Sequence, residues 1–328
     1  MFEDALGWLL LTGFIAFVLA GTLAPLETLY WWSRRPRPGA VFGPEPETDP
    51  APDPTAIAVG ASGDFIVYLG GIDRISGNSN SSRELRFLAA LREGAPDAVI
   101  VDSVFPYAAS GNPLLHGPRV FSRLWRALDA APPEQRRPLL ANLVNARNFF
   151  QVLVSADRRY GPVFNLAIAG LIEDSLCAAG WQPRSGARLT LIGLSGGAQM
   201  AAGAADDLAD IFDGPIQLIS IGGVIASTPG INRLARIDHL AGSADKVEAA
   251  GVIAFPARWP ISTGSEWALA RSSGRLKRIP LADVTHNGPR GYFGEAHHGG
   301  RPQWEETVAI VLDCIGRFES ETVDGSPG

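Results

Sequence analysis

The segment that most constrains this chain is the pentapeptide Gly193-Leu194-Ser195-Gly196-Gly197, set between two unlike stretches. Ahead of it, Ala187 to Ile192 is apolar and partly β-branched, the composition of a short buried strand. Behind it, Ala198 to Ala205 is built of small residues that favour a helix. A strand that turns sharply into a helix through a serine flanked by glycines strains the serine backbone and lifts its hydroxyl above the sheet edge. Glycines are required on either side because a Cβ there would strike the neighbouring strand and helix. The pattern predicts a nucleophilic hydroxyl at Ser195.

Other runs set the fold class. Phe65–Leu69, Ala98–Val101, Leu189–Ile192 and Ile216–Ile221 read as strands, with weaker runs at Ile237–Leu240 and Leu276–Pro280. Helical periodicity covers Ser82–Arg92 and Trp304–Arg317. Strands separated by helices predict an α/β domain with a mostly parallel central sheet covered by helices on both faces. With 328 residues and 46% apolar content the chain can build a large core. One interval exceeds a simple crossover. A helical insertion at about 107–186 precedes the serine strand, with helical stretches near Val120–Ala130, Leu139–Ser155 and Val163–Ala179. It either covers the sheet or forms a lid over the site.

The N-terminus has a different character. No residue from Ala5 to Pro25 is charged, and the run is long enough to span a bilayer as a helix. Tyr30, Trp31 and Trp32 follow as candidates for an interfacial belt, then Arg34, Arg35 and Arg37. A cleaved signal peptide would carry its basic residues first, whereas Glu3 and Asp4 precede this run. The expected organisation is a membrane anchor with its aromatic belt over 1–33, then a linker over 34–54 with seven prolines between Pro36 and Pro54. The folded domain follows over 55–318, and a polar tail over 319–328. Arginines on the C-terminal side of the span place the domain in the cytoplasm, as a single-pass membrane protein. A formal net charge of −6 argues against nucleic acid as a partner. Cys177 and Cys314 lack metal-ligand spacing and read as small buried hydrophobes. Neither a disulfide framework nor a zinc site is indicated.

A serine hydroxyl is a weak nucleophile until a base takes its proton, and a histidine oriented by a carboxylate is the usual base. Of five histidines, His286 is best placed, in a loop after the last expected strand and before the last helix. In an open parallel sheet such loops gather at the carboxyl ends of the strands, where ligands bind. His297 and His298 read as loop residues, with a weaker metal reading alongside Glu295. His239 reads as a hydrogen-bonded core residue, and His116 falls in the insertion. The carboxylate is assigned to Asp245, in the Gly242-Ser243-Ala244 turn that follows a strand, with Asp238 and Asp283 as alternatives. The competing role for Asp245 is that of a helix N-cap. The developing oxyanion needs N–H donors: Gly196, which follows the serine, and the Gly70-Gly71 turn after the first strand, which otherwise reads as a plain glycine turn.

With Gly193-x-Ser195-x-Gly197, the Gly70-Gly71 turn, Asp245 and His286 in this order, most of the span from Thr55 to Phe318 resembles an α/β-hydrolase. The resemblance implies an eight-stranded, mostly parallel sheet and hydrolysis through an acyl-enzyme without cofactor. The implied activity is that of a serine hydrolase on an ester or thioester, with a small-molecule or lipid acyl substrate. An acyltransferase with the same triad and a non-catalytic binding protein are the alternatives. The sequence carries no reading of oligomeric state.

Overall fold

The computed structural model describes residues 63–108, 138–298 and 300–323. The expected membrane span, the proline-rich linker, His116 and the helical stretch near Val120–Ala130 lie outside them.

Six strands form one sheet, every adjacent pair parallel: β1 (Phe65–Leu69), β2 (Val99–Val101), β3 (Leu189–Leu194), β4 (Ile216–Ile221), β5 (Arg236–Gly242) and β6 (Leu276–Leu281). Their spatial order is β2-β1-β3-β4-β5-β6. A separate two-residue antiparallel pair joins β7 (His297–His298) to β8 (Arg301–Pro302). Among the described residues the central sheet therefore has six strands where eight were expected, and it begins at Phe65.

Helices clothe both faces. They are α1 (Ser82–Gly94), α2 (Pro138–Ala156), α3 (Gly161–Ala178), α4 (Gly196–Ile211), α5 (Lys246–Ala254), α6 (Glu266–Ser272) and α7 (Gln303–Val323). Side chains alternate across the sheet with the two-residue strand period. Phe65, Val67, Leu69, Leu189 and Leu191 face a core shared with α2, α3 and α4. Ile66, Tyr68, Ile192, Ile219 and Leu240 face a second core closed by α1 and α7. Each large apolar side chain so withdrawn from water contributes about 1.5–3 kcal/mol. Ser81 opens α1 with a reciprocal capping box to Glu84.

Two expectations need correction. Helix α7 runs to Val323, past residue 319 where a polar tail was expected, because Phe318 is buried and Glu321 pairs with Arg236 on β5. Cys314 is buried, but Cys177 is exposed. In α3 the buried positions Ile168, Ile172 and Leu176 form one stripe, and Cys177 lies next round the helix from it. Of the two readings of the insertion, its described part follows the first and covers the sheet. Although α3 is long and apolar enough to cross a membrane, it packs on α4 as a core helix of the domain, with α2 beside it.

The strand order reverses at β1. The chain leaves β1 for β2 on one side, then returns to place β3 on the other. Ligands in open parallel sheets bind at such a switch point, outside the carboxyl ends of the strands. The Gly70-Gly71 turn leaves β1, and Ser195 leaves β3, at this point.

Candidate active site

Ser195 stands between β3 and α4 with φ 53° and ψ −120°, a backbone conformation that a residue with a Cβ seldom adopts. Such strain costs on the order of 1–3 kcal/mol and persists only where its surroundings impose it. Here the Ser195 N–H donates to Ile221 O over 3.0 Å, and its carbonyl accepts from the N–H groups of Ala198 and Val224, each over 3.2 Å. The flanking glycines are sterically required. A Cβ on Gly193 would lie 2.4 Å from Ala198 Cα, and one on Gly197 would lie 2.2 Å from Leu69 O. Strand and helix are in contact through both positions.

His286 lies in the loop after β6. Its Nε2 is 2.8 Å from Ser195 Oγ and its Nδ1 is 2.8 Å from Asp245 Oδ2. An ionised carboxylate only accepts, so Nδ1 carries the proton and Nε2 is the free acceptor for the serine hydroxyl. The three residues assigned from the sequence are thus joined in one hydrogen-bonded chain, with the serine mostly covered and the carboxylate buried.

Asp245 fills both roles that the sequence offered for it. Its Oδ1 accepts from the N–H groups of Val247 (2.9 Å) and Glu248 (3.0 Å), capping α5. Its Oδ2 accepts from His286 Nδ1 and also from the Tyr292 hydroxyl, at 2.8 Å. Burial pushes this carboxyl up, but the donors of His286, Glu248 and Tyr292 outweigh it and hold the group below its ordinary range. The alternatives are engaged elsewhere. Asp238 is buried against Arg236 and Gln217 on the sheet, and Asp283 is exposed at φ 57°.

Gly196 opens α4, so its N–H has no acceptor within the helix. The Gly71 backbone runs beside the serine, since a Cβ there would lie 3.9 Å from Ser195 Cβ. The turn after β1 is held from behind. The Tyr107 hydroxyl donates to Gly70 O (2.8 Å), and Asn148 Nδ2 on α2 donates to Ile72 O (2.8 Å) and Arg74 O (2.7 Å). The buried Arg74 guanidinium binds the carbonyls of Val104, Asp102 and Gly77. With these carbonyls occupied on the protein side, the loop backbone is fixed next to Ser195. Val152 of α2 and Ile72 close over Gly196, where a Cβ would meet them at 2.7 and 2.8 Å. None of Tyr107, Asn148 and Tyr292 belongs to a motif, and the sequence reading did not single them out.

His239 is the expected core histidine. It is buried on β5, with Nδ1 2.9 Å from Ser220 Oγ and Nε2 3.1 Å from Glu248 Oε1. Arg258 Nη2 also reaches Glu248 Oε1, at 2.8 Å. Burial lowers the His239 imidazole below its ordinary value. Burial raises Glu248, but His239 and Arg258 overcome it and hold the carboxyl well below the usual range. This Ser–His–Glu chain has no solvent face and sits behind Asp245 as a structural support. His297 is exposed on β7.

Compared with models of protein families the chain matches none, and no curated protein matches its sequence. Among solved structures it is similar to the crystal structure of a dienelactone hydrolase-like promiscuous phosphotriesterase, P91, from metagenomic libraries. That similarity has 10% identity and a TM-score of 0.43, and it covers 79% of this chain and 86% of the other.

Proposed function

We propose that this protein is a serine hydrolase of α/β-hydrolase type that cleaves an ester or thioester through an acyl-enzyme. The observation that carries this reading is the hydrogen-bonded chain from Ser195 Oγ to His286 to Asp245, with both links at 2.8 Å.

In the first half-reaction, Ser195 Oγ attacks the acyl carbon as its proton passes to His286 Nε2. Asp245 stays ionised and stabilises the imidazolium through Nδ1–H. The carbonyl oxygen becomes an oxyanion, facing the Gly196 N–H and the backbone of the Gly70-Gly71 turn. Collapse of this intermediate breaks the bond to the alcohol or thiol, which leaves with the proton from His286. Water then attacks the acyl-enzyme, with His286 again taking the proton, and Ser195 is released. Every proton in the cycle moves through Nε2, so no cofactor is called upon.

The uncharged run from Ala5 to Pro25 supports a membrane tether, with the arginines after it on the cytoplasmic side. Such a tether would hold the site close to lipid acyl groups. An alkaline phosphatase fusion placed after Gly39 tests the orientation, and activity there would reverse it. Labelling by a fluorophosphonate tests the chemistry. Wild-type protein is expected to be modified at Ser195, with Ser195→Ala unlabelled and His286→Ala slowed by at least roughly a thousandfold. A folded wild-type protein that is not labelled would end the hydrolase reading.

A further inference from the structure

We propose that Tyr292 is a positioning residue for the acid–base pair, its hydroxyl governing how Asp245 orients and charges His286. The inference rests on the triad reading above and adds a fourth member to it.

Tyr292 is buried, and its hydroxyl makes two hydrogen bonds of 2.8 Å, one to Asp245 Oδ2 and one with the Gly242 N–H. Their directions are forced. The peptide N–H can only donate and the ionised carboxylate can only accept, so the phenol takes a proton from Gly242 and gives its own to Asp245. Accepting at one side strengthens donation at the other. The oxygen it meets, Oδ2, is the one that also accepts His286 Nδ1–H. Tyrosine and histidine therefore share one oxygen of the carboxylate, while α5 occupies the other.

The surroundings keep this arrangement in place. His286 and Tyr292 lie on one loop, closed by Thr285 N donating to Arg290 O (2.9 Å), and their rings stand perpendicular with centroids 6.3 Å apart. Thr307 on α7 donates to the Tyr292 carbonyl over 2.7 Å. Gly222, at φ 56°, makes room for the ring and the carboxylate. A Cβ there would lie 2.4 Å from Tyr292 Cε2 and 3.0 Å from Asp245 Oδ2. Burial and the nearby Asp245 charge keep the phenol protonated. The titratable groups facing the pair are Asp245 and His286 themselves and Glu248 of α5. Glu248 is matched in turn by Arg258, His239 and Arg278 of β6.

A donor on Oδ2 spreads the charge that stabilises protonated His286. Removing it leaves more charge on that oxygen, so the base holds its proton to higher pH. A stronger donor does the reverse. The experiment measures the second-order rate of fluorophosphonate inactivation against pH for the full chain and two replacements. Tyr292→Phe deletes the donor. 3-Fluorotyrosine placed at 292 by codon suppression keeps the hydroxyl and makes it more acidic. The acid-side midpoint is expected to rise by roughly half a pH unit in Tyr292→Phe and to fall in the fluorotyrosine protein. If Tyr292 only fills space and satisfies Gly242, either folded variant keeps the wild-type midpoint, and the proposal is overturned. Should Tyr292→Phe not fold, the fluorotyrosine protein decides alone. A folded wild-type protein that does not react at all would instead refute the triad reading beneath it.

Discussion

The backbone N–H of Glu248 donates to Asp245 Oδ1 over 3.0 Å, while the Glu248 carboxylate is buried against His239 and Arg258. One residue thus links the candidate catalytic carboxylate to a closed ionic cluster in the protein interior. The first turn of α5 does not carry Asp245 alone. It is pinned to β5 through His239 and to the 3-10 turn Pro256–Arg258 through the guanidinium.

Replacing Glu248 by Ala should therefore be costly twice over. It leaves Arg258 and His239 buried without their acceptor, a loss of about 3–5 kcal/mol by the usual cost of breaking a buried pair. Urea denaturation would show this as a lower midpoint. Inactivation by fluorophosphonate should also slow, since the turn that orients Asp245 loses its anchor. Unchanged stability would contradict the cluster's role.

Stability should fall as the solution is acidified. His239 and Glu248 are both held below their ordinary values of 6.5 and 4.5 in the folded protein, so the unfolded chain binds more protons on the acid side. The unfolding free energy then rises with pH. The His239 contribution is complete above 6.5 and is lost below it as pH falls through its folded value. The Glu248 contribution is complete above 4.5 and is lost in the same way. Denaturation midpoints measured from pH 7.5 to pH 2.5 should decrease steadily, and Glu248→Gln should flatten the lower part of that slope. A stability independent of pH across this range would be inconsistent with the buried cluster.

Ser195→Gly should abolish reaction yet raise the melting temperature. Glycine adopts a φ of 53° without the steric penalty that serine bears there, which corresponds to about 1–2 kcal/mol. A melting temperature equal to or below wild type would mean the elbow is not strained.

Two glycine replacements make a controlled pair. Gly193→Ala drives a methyl into the α4 backbone at Ala198 and should destabilise by about 1–3 kcal/mol or more. Gly170→Ala in α3 meets nothing within 4 Å and should stabilise by about 0.5–1 kcal/mol through helix propensity. Thermal melts of both decide it, and equal effects would refute the close strand-to-helix approach.

Tyr107→Phe removes the side-chain donor that holds the Gly70 carbonyl and should loosen the loop beside Ser195. The expected result is a drop of roughly tenfold or more in kcat on a chromogenic ester, with KM little changed. A rise in KM alone would assign Tyr107 to substrate binding.

The strands, the turn at Ser195 and the chain order Ser195, Asp245, His286 were legible in the sequence for a local reason. A buried strand, a strained turn and a helix start each leave their mark within a few adjacent residues. Gly193, Ser195 and Gly197 need one another in direct succession, and Asp245 and His286 each follow an apolar run that ends at the same sheet edge. The competing assignments for Asp245 could not be separated that way, because capping α5 and accepting from His286 use different oxygens of one carboxylate and both hold. What only the tertiary structure decided is the support: Tyr292 on Asp245, Tyr107 and Asn148 on the loop after β1, and Glu248 with His239 and Arg258 behind α5. These contacts join residues from separate elements, brought together by sheet order and helix packing. A hydrogen bond across such a distance in the chain leaves no periodic or compositional trace at either end.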